Sequence, residues 1–284
     1  MEKKSQSKEL ANPIIHSTVS CPICKWDQIH HYSLKAKSLS FKSNVFNVPI
    51  FVETPKYQLV DYNELIFSVC PKCFFTGAKK QDFSYTEGFS GKFIKSTVSP
   101  NILHYWGEKK SEVLDVLFGK MPNEKELTHP RPGETIIASC KLGIYRTGIE
   151  IQFKVPYANY RRAKFHLLHH YLYRKVNRED KNDILKEAIK DLELAFSSSD
   201  FPEPHNEYEI CYLVAAINMC IGEENKAQGY MKVLDETKIK LTQKAKTDPK
   251  IQLGEIEKWV NKVKELWQDR KETSIWNPMQ PWPK

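Results

Sequence analysis

The sequence lacks the long apolar runs of a membrane protein. No window of its 284 residues approaches the roughly 20 apolar residues of a spanning helix, and the longest apolar patches are pieces as short as residues 212–217. The N-terminal residues include lysines but no apolar stretch of the length that a secretory signal needs. We therefore expect a cytoplasmic protein without a membrane partner, in a compartment that keeps thiols reduced.

Familiar catalytic motifs are also missing. The sequence contains no glycine-rich phosphate loop, no serine, histidine and aspartate in a hydrolase order, and no paired carboxylates in a cleft-like setting. This favours a non-enzymatic protein and implies no small-molecule substrate. The alternative left open is a hydrolase or transferase between residues 84 and 131, with His104 and His129 as candidates.

The charge balance is moderately basic. The 43 lysines and arginines outnumber the 35 aspartates and glutamates, which gives a formal net charge of +8. Such an excess is compatible with nucleic acid or an acidic partner, but it does not select one of them. The hydrophobic content of 40% is that of a packed globular protein, and the length allows one large domain or two.

Four of the seven cysteines form two similar pairs, SCPICKW at residues 20–26 and VCPKCFF at residues 69–75. A Cys-x-x-Cys turn presents two thiolates, and two such turns complete the tetrahedral shell of a zinc ion. Proline follows the first cysteine of each pair and stiffens the turn. We predict one structural zinc ion bound by four residues: Cys21, Cys24, Cys70 and Cys73. Because all four ligands come from the protein, no position remains for a substrate.

A redox pair and an iron site are the alternatives to zinc at these cysteines. A redox pair is less consistent with two proline-containing turns, and a rubredoxin-like iron site uses similar turns but is disfavoured by the long spacer. His30 and His31 follow the first pair closely, and we expect them to lie on the surface rather than bind metal. Cys140, Cys211 and Cys220 are interpreted as core residues.

The hydrophobic period changes along the chain from two residues to 3.6. Short strand patterns lie between the cysteine pairs, whereas helical patterns follow residue 132. The last of them is an apolar stripe through Ile256, Trp259, Val260, Val263, Leu266 and Trp267. We predict an α+β protein, with a small strand-rich zinc ribbon followed by a larger all-α tetratricopeptide-like helical domain. The predicted boundaries are an N-terminal extension (1–19), the zinc-ribbon-like domain (20–83), a connecting region with a short helix at 111–121 (84–131), the helical domain (132–271) and a proline- and tryptophan-rich tail (272–284).

Six helices are predicted in the second half, at 132–148, 157–176, 182–200, 206–221, 224–241 and 256–267. Two of them share a spacing of small and apolar residues: Ala188, Leu192 and Ala195 match Ala227, Met231 and Leu234. This spacing resembles a degenerate tetratricopeptide repeat, and a plain bundle of helical hairpins is the alternative. Trp282 in the tail is expected to pack back on the last helices, or to contact a partner.

Two surfaces are candidates for partner binding. A polar groove for a protein partner is predicted around the HLLHH sequence, from Arg161, Arg162, His166, His169, His170 and Tyr173. A metal site on these histidines is disfavoured because no glutamate lies between them in the manner of a zinc protease. The alternative is a nucleic-acid surface on the ribbon, where cations and aromatic rings flank the cysteines: Lys25, Trp26, Lys72 and Phe74.

Several sequence runs together resemble a known family. CPICKWDQ, VCPKCFFTGAKKQDF, IIASCKLGIYR and HLLHHYLYRK are similar to motifs of the uncharacterised bacterial family of domain of unknown function 2225, over roughly residues 20–240. In the second run the matching residues are Cys70, Pro71, Cys73, Phe75, Asp82 and Phe83. The resemblance implies a bacterial cytoplasmic protein with a cysteine knuckle pair and a helical remainder, and it implies no activity. Lys25 and Phe74 replace the glycine that usually follows each knuckle.

Overall fold

The N-terminal part of the chain is built from short β-hairpins. The computed structural model describes residues 10–88, 90–116, 122–179 and 182–282. Four separate antiparallel pairs form: β1 (Ile14–Val19) with β2 (Ile29–Leu34), β3 (Ser40–Ser43) with β4 (Pro49–Val52), β5 (Ser68–Val69) with β6 (Thr76–Gly77), and β7 (Tyr85–Thr86) with β8 (Phe93–Ile94). Within each pair the two strands are neighbours in sequence, so every connection is a local loop.

The rest of the described chain is mainly helical. The helices are α1 (Pro100–Glu108), α2 (Lys110–Val116), α3 (Gly133–Gln152), α4 (Ala158–Lys175), α5 (Asp183–Ser198), α6 (Asn206–Cys220), α7 (Glu224–Ala245) and α8 (Gly254–Asp269). The prediction of an α+β fold with a helical C-terminal domain is confirmed. Within the described ranges, none of these helices has both the length and the apolar composition that crossing a bilayer requires.

Helix α6 is the centre of the helical half. Every residue from position 209 to position 219 is buried, because α5, α7 and α8 all pack against this helix. A helix that is apolar nearly all round belongs inside a protein, and the buried stretch of α6 contains only two charged or amide side chains, Glu209 and Asn218. Five of the six residues of the stripe predicted on α8 are buried, and the sixth, Trp267, is half-buried.

Two hydrophobic cores meet at α3. The first core contains Ile136 and Cys140 of α3 together with α4 to α8. The second core contains Leu142 and Ile149 of α3 together with α1 and the segments that carry the cysteine pairs. Helix α3 therefore joins the cysteine region to the helical bundle. Gly143 allows this close packing, since a Cβ there would lie 2.2 Å from the ring of Phe67.

A loop of the N-terminal part enters the helical core. The loop that joins β3 to β4 (residues 44–48) places Val45, Phe46 and Val48 among the residues of the first core. Its turn places Asn47 at a φ of 59°, in the left-handed region that asparagine tolerates. The tail lies beside this loop, because Trp282 is buried and its backbone N–H donates to the carbonyl of Ser43 at 2.7 Å. The structure thus shows Trp282 packed back on the protein.

Several predicted elements need adjustment. Helices α3 and α7 extend four residues beyond the predicted ends at 148 and 241. Helix α1 was not predicted, and the short helix expected at 111–121 is seen as α2, while residues 117–121 lie outside the described residues. The predicted N-terminal extension includes β1, and its residues 1–9 also lie outside the described residues. The domain boundaries and the tetratricopeptide likeness stay predictions.

Candidate metal centre

Each cysteine pair lies in the loop of a β-hairpin, and the two loops have the same backbone pattern. In the first knuckle, the N–H of Cys21 donates to the carbonyl of Trp26 (2.7 Å) and that of Lys25 donates to Cys21 (3.2 Å). In the second, the N–H of Cys70 donates to Phe75 (2.9 Å) and that of Phe74 donates to Cys70 (2.9 Å). The similarity of the two sequences is therefore a similarity of three-dimensional turns.

The residue after each second cysteine has a left-handed backbone. The φ angles are 65° at Lys25 and 59° at Phe74. Side chains with a Cβ rarely adopt this conformation, and glycine adopts it without steric cost. This explains why a glycine is expected after each knuckle and what its replacement involves: both residues hold a strained conformation that the turn requires.

The four sulfurs converge on one point. The distance between the sulfurs of Cys21 and Cys73 is 3.5 Å, and that between Cys24 and Cys70 is 3.4 Å. All four sulfurs lie within 4.8 Å of one another. A tetrahedral ion with bonds of about 2.3 Å to sulfur would place its ligands about 3.8 Å apart. The four cysteines are therefore positioned to bind one metal ion, and an all-sulfur set suits a borderline or soft metal.

Sulfurs this close influence each other's ionisation. Hydrogen bonds from the thiols of Cys21 and Cys73 lower the pKa of Cys70 to about 2, although burial opposes this. The hydrogen bond with Cys70 raises the pKa of Cys21 to about 12, and the hydrogen bonds with Cys21 and Cys70 raise that of Cys73 well above its ordinary value. One thiolate is thus favoured beside protonated neighbours, and a divalent cation supplies the charge that would ionise the others.

The second knuckle is held by aromatic and cationic side chains of the helices. The indole Nε1 of Trp106 on α1 donates to the carbonyl of Cys73 at 3.1 Å. Phe75 packs edge-on against Trp106 and Phe83, with ring centroids 5.7 and 5.6 Å away. Arg146 on α3 lies over Phe75 at 5.1 Å. Sequence reasoning missed Trp106 and Arg146, because they lie 33 and 73 positions after Cys73 and no local spacing connects them to it.

The two histidines beside the first knuckle have different environments. His30 contacts His16 through ring nitrogens 2.7 Å apart on the outer face of the hairpin. His31 is buried and its Nδ1 lies 3.0 Å from the hydroxyl of Ser68. The expectation that His31 lies on the surface is wrong, since alternation along β2 points it inward. Burial lowers the pKa of both His30 and His31.

The residues predicted to form a partner groove lie on different sides of α4. Arg161 pairs with Glu150 at 2.8 Å and lines one cleft, whereas Arg162 and His166 line another cleft. His169 and His170 are buried, where they pack against the rings of Tyr173 and Phe46 respectively. The structure therefore brings two of the six residues together at one opening, and their role in binding stays a prediction.

The four residues of the proposed nucleic-acid surface do not form one continuous surface either. The ammonium of Lys72 lies 4.4 Å from the ring centroid of Trp26. The ammonium of Lys25 donates to the carbonyl of Pro22 at 2.7 Å, and Phe74 is only 1% exposed. Lys72 and Trp26 form a pair beside the cysteines, while Phe74 contributes to the core instead.

Comparison with known proteins agrees with the sequence resemblance. No curated protein and no solved structure matches the chain. Residues 14–269 match the model of a family described as an uncharacterized protein conserved in bacteria (DUF2225). This match includes both knuckles and all eight helices named above. The chain therefore belongs to this bacterial family.

Proposed function

We propose that the four cysteines bind one structural zinc ion and that the chain is a non-enzymatic protein-interaction or scaffold protein. The observation that carries the proposal is the closed set of four sulfurs, all within 4.8 Å of one another. Four protein ligands leave no position for water or substrate, which is the arrangement of structural rather than catalytic zinc. In a reducing compartment such cysteines stay available to a metal.

The place of the knuckles in the fold supports a structural role. Cys21 and Cys70 are buried in the second core, which joins the hairpins to α1 and α3. One ion would connect two cysteine pairs that 45 residues separate in sequence, on hairpins that share no hydrogen-bonded strand pair among the described residues. The free energy of binding would then contribute directly to folding, on the order of 10 kcal/mol.

A protein partner is expected at the cleft beside α4 rather than in the centre of the helical half. The core side of α6 is already filled by residues 44–48 and by the tail. The cleft lined by Arg162 and His166 has a volume of about 330 Å³ and opens between α3, α4 and α5. Arg162 is fixed there by a bidentate contact with Asp191, so a partner would meet a preformed polar surface.

Nucleic acid is the second candidate partner. The contact that favours it is the Lys72 ammonium over Trp26, since such a pair offers both a cation and a ring beside the metal centre. Phe74 is buried and Lys25 is tied to its own loop, so half of the predicted surface is used internally. This makes a nucleic-acid role the less supported of the two.

Metal analysis tests the zinc part of the proposal. We expect one zinc ion per chain in the wild type, and none in Cys70→Ser, together with a large decrease in thermal stability. Cys220→Ser, outside the cluster, is the control and should keep one ion. Iron in the purified protein, or full zinc occupancy in Cys70→Ser, would contradict the assignment.

A charge-reversal pair tests the partner part. Glu187 lines the cleft beside α4, whereas Asp183 lies one turn earlier on α5, and each makes one exposed i,i+3 pair with a lysine. We expect Glu187→Lys to reduce capture of a bacterial protein several-fold, and Asp183→Lys to leave it unchanged. Equal capture by both variants would exclude this cleft. Nucleic acid that co-purifies and is released by salt, and less of it in Lys72→Ala, would favour the second candidate.

A further inference from the structure

A separate cleft lies between the second knuckle and the helices, with a volume of about 310 Å³. This is within the range of small-molecule sites in proteins, about 300–1,000 Å³. Two of the sequence runs that carry the family resemblance meet at its walls. Gly77 and Asp82 come from the run after Cys73, and Gly143 and Arg146 come from the run in α3. The cysteine centre and its proposed zinc ion do not use this cleft.

A chain of four alternating charges forms one wall. Arg146 contacts Asp82 and Glu150, each at 3.0 Å, and Arg161 contacts Glu150 at 2.8 Å. The side chains of Asp82, Arg146 and Glu150 are only 15%, 8% and 10% exposed. A buried charge network costs desolvation energy, and its members are held in fixed positions by their partners. The wall of the cleft is therefore polar and preorganised.

Both carboxylates of the wall already have donors. The second oxygen of Asp82 accepts the backbone N–H of Lys79 at 2.9 Å. One oxygen of Glu150 forms an ion pair with Arg146, and the other accepts a hydrogen bond from Arg161. Each of the four oxygens thus already faces one donor, which leaves the wall fewer free acceptors for an incoming ligand.

In contrast, some hydrogen-bond donors of the cleft have no partner in the described part of the chain. Arg146 is 7% exposed, and its buried Nε has no hydrogen-bond partner among the residues that the structure describes. Lys79 lines the cleft and makes no ion pair within the same described ranges. The first turn of α1 also faces this cleft, through Ser99 and Ile102, and its N-cap makes no side-chain hydrogen bond. Free N–H donors and a helix N-terminus favour a negatively charged group.

The remaining lining is apolar. Phe67, Val98, Val155 and Phe165 contribute to the walls. A ligand that fits both parts carries one anionic group for the donors and an apolar body for these side chains. The charges agree with this: Lys79, Arg146 and Arg161 provide three positive charges against the two carboxylates.

We propose that this cleft is a binding site for a small organic anion, a carboxylate or phosphate attached to an apolar body. The anionic group lies between Lys79, the outer edge of the Arg146 network and the first turn of α1. The apolar body lies against Phe67 and Phe165. This site gives the chain a ligand-binding function in addition to the proposed interaction function, and it does not depend on that function.

Titration calorimetry on the full, metal-loaded chain tests the site with three probes. Phenyl phosphate and phenylacetate carry the two anionic groups, and benzyl alcohol is the neutral comparison. We expect at least one of the anions to bind at least tenfold more tightly than benzyl alcohol, and more weakly as salt is raised. Which of the two anions binds better identifies the anionic group.

Two neighbouring lysines provide a matched control. Lys79→Ala should weaken binding of the preferred anion about tenfold, the value of one charge-assisted contact. Lys80→Ala should change it less than twofold, because the Lys80 ammonium lies over the ring of Tyr85, 4.3 Å from its centroid. Val98→Trp, which fills the cleft, should abolish binding. The proposal is overturned if neither anion binds, if the neutral alcohol binds as well, or if the two lysine variants behave alike.

Discussion

The strand-rich N-terminal part of the chain contacts the helices at the cysteine centre and at the inserted loop, and these two contacts differ in chemistry. At the cysteine centre, a hairpin with six paired positions and a hairpin with only two meet at four sulfurs, and Trp106 of α1 donates to the carbonyl of Cys73. At the other contact, residues 44–48 enter the helical core: Phe46 is fully buried, and the Tyr212 hydroxyl on α6 donates to the carbonyl of Val45 at 2.8 Å. The first contact brings together four potential metal ligands, and the second relies on the burial of apolar side chains.

This difference predicts how each contact responds to solution conditions. Short two-stranded hairpins are marginal on their own, so we expect the stability of the knuckle region to depend on a bound metal ion. The inserted loop has side chains in the large first core, and Asn44 also donates to the carbonyl of Pro278 at 2.8 Å. We therefore expect its stability to be independent of the thiols. Local stability within one protein commonly varies in this way.

Metal removal should separate the two contacts most strongly. With a chelator present, we expect the amide of Phe74, which donates to Cys70, to exchange its hydrogen at least about a hundredfold faster. The amide of Val48, which donates to the Asn44 side chain at 2.9 Å, should change little. Hydrogen exchange measured by mass spectrometry compares both. Uniform acceleration along the chain would mean that the two contacts form one cooperative unit.

The two contacts also differ in how far the sequence predicted them. The cysteine centre follows from coordination number and a repeated turn, and both are local patterns in the sequence. The insertion of residues 44–48 was not predicted, because FKSNVFNVPIFVE is also a good strand pattern and Val45 meets Tyr212 across 167 positions. Helix α1 was missed since its nine residues are too few for a clear period. The stripe on α8 was predicted correctly because one face of a longer helix repeats several times.

Shortening Phe46 should weaken the second contact without affecting the first. Phe46 is 0% exposed and packs against His170 and Trp276, so Phe46→Ala should cost about 3–5 kcal/mol of unfolding free energy. Phe41→Ala is the control on the same hairpin, since Phe41 is 60% exposed and its loss should cost less than about 0.5 kcal/mol. Denaturant unfolding measures both, and metal content should stay equal in the two variants. A loss of metal in Phe46→Ala would show that the contacts are coupled.

The second contact should also depend on pH through Glu209. This carboxyl is buried, which alone would raise its pKa, but the ammonium of Lys164 and hydrogen bonds from Tyr160 and Asn47 lower it to about 2. A depressed carboxyl pKa stabilises the fold above the ordinary value of 4.5, and that stability is lost as the pH falls from 4.5 towards 2. The shift corresponds to about 3 kcal/mol.

Replacing this carboxyl measures that contribution. Glu209→Gln should be less stable than the wild type by about 2–3 kcal/mol at pH 7, and the gap should narrow as the pH falls to 3. Any acid-induced loss of metal affects both proteins, so their difference isolates residue 209. Glu203→Gln, on the exposed loop before α6, should stay within about 0.5 kcal/mol of the wild type at both pH values. If the difference in unfolding free energy between the wild type and Glu209→Gln does not change with pH, the ion pair of Glu209 is ruled out as its cause.

The smallest expected effect distinguishes the two knuckles from each other. Both Lys25 and Phe74 have a left-handed backbone, but Phe74 is fully buried whereas Lys25 is exposed. Lys25→Gly and Lys25→Ala both lose the hydrogen bond from the Lys25 ammonium to Pro22. Backbone strain therefore separates these two variants, and the glycine variant should be more stable than the alanine variant by about 1 kcal/mol. At position 74 the buried ring matters more, so Phe74→Gly should be less stable than the wild type by about 2 kcal/mol or more. Thermal unfolding of the metal-loaded variants compares them. If glycine were stabilising at both positions, backbone strain would outweigh burial in the second knuckle, and the aromatic packing around Phe75 would have to hold that turn without the ring of Phe74.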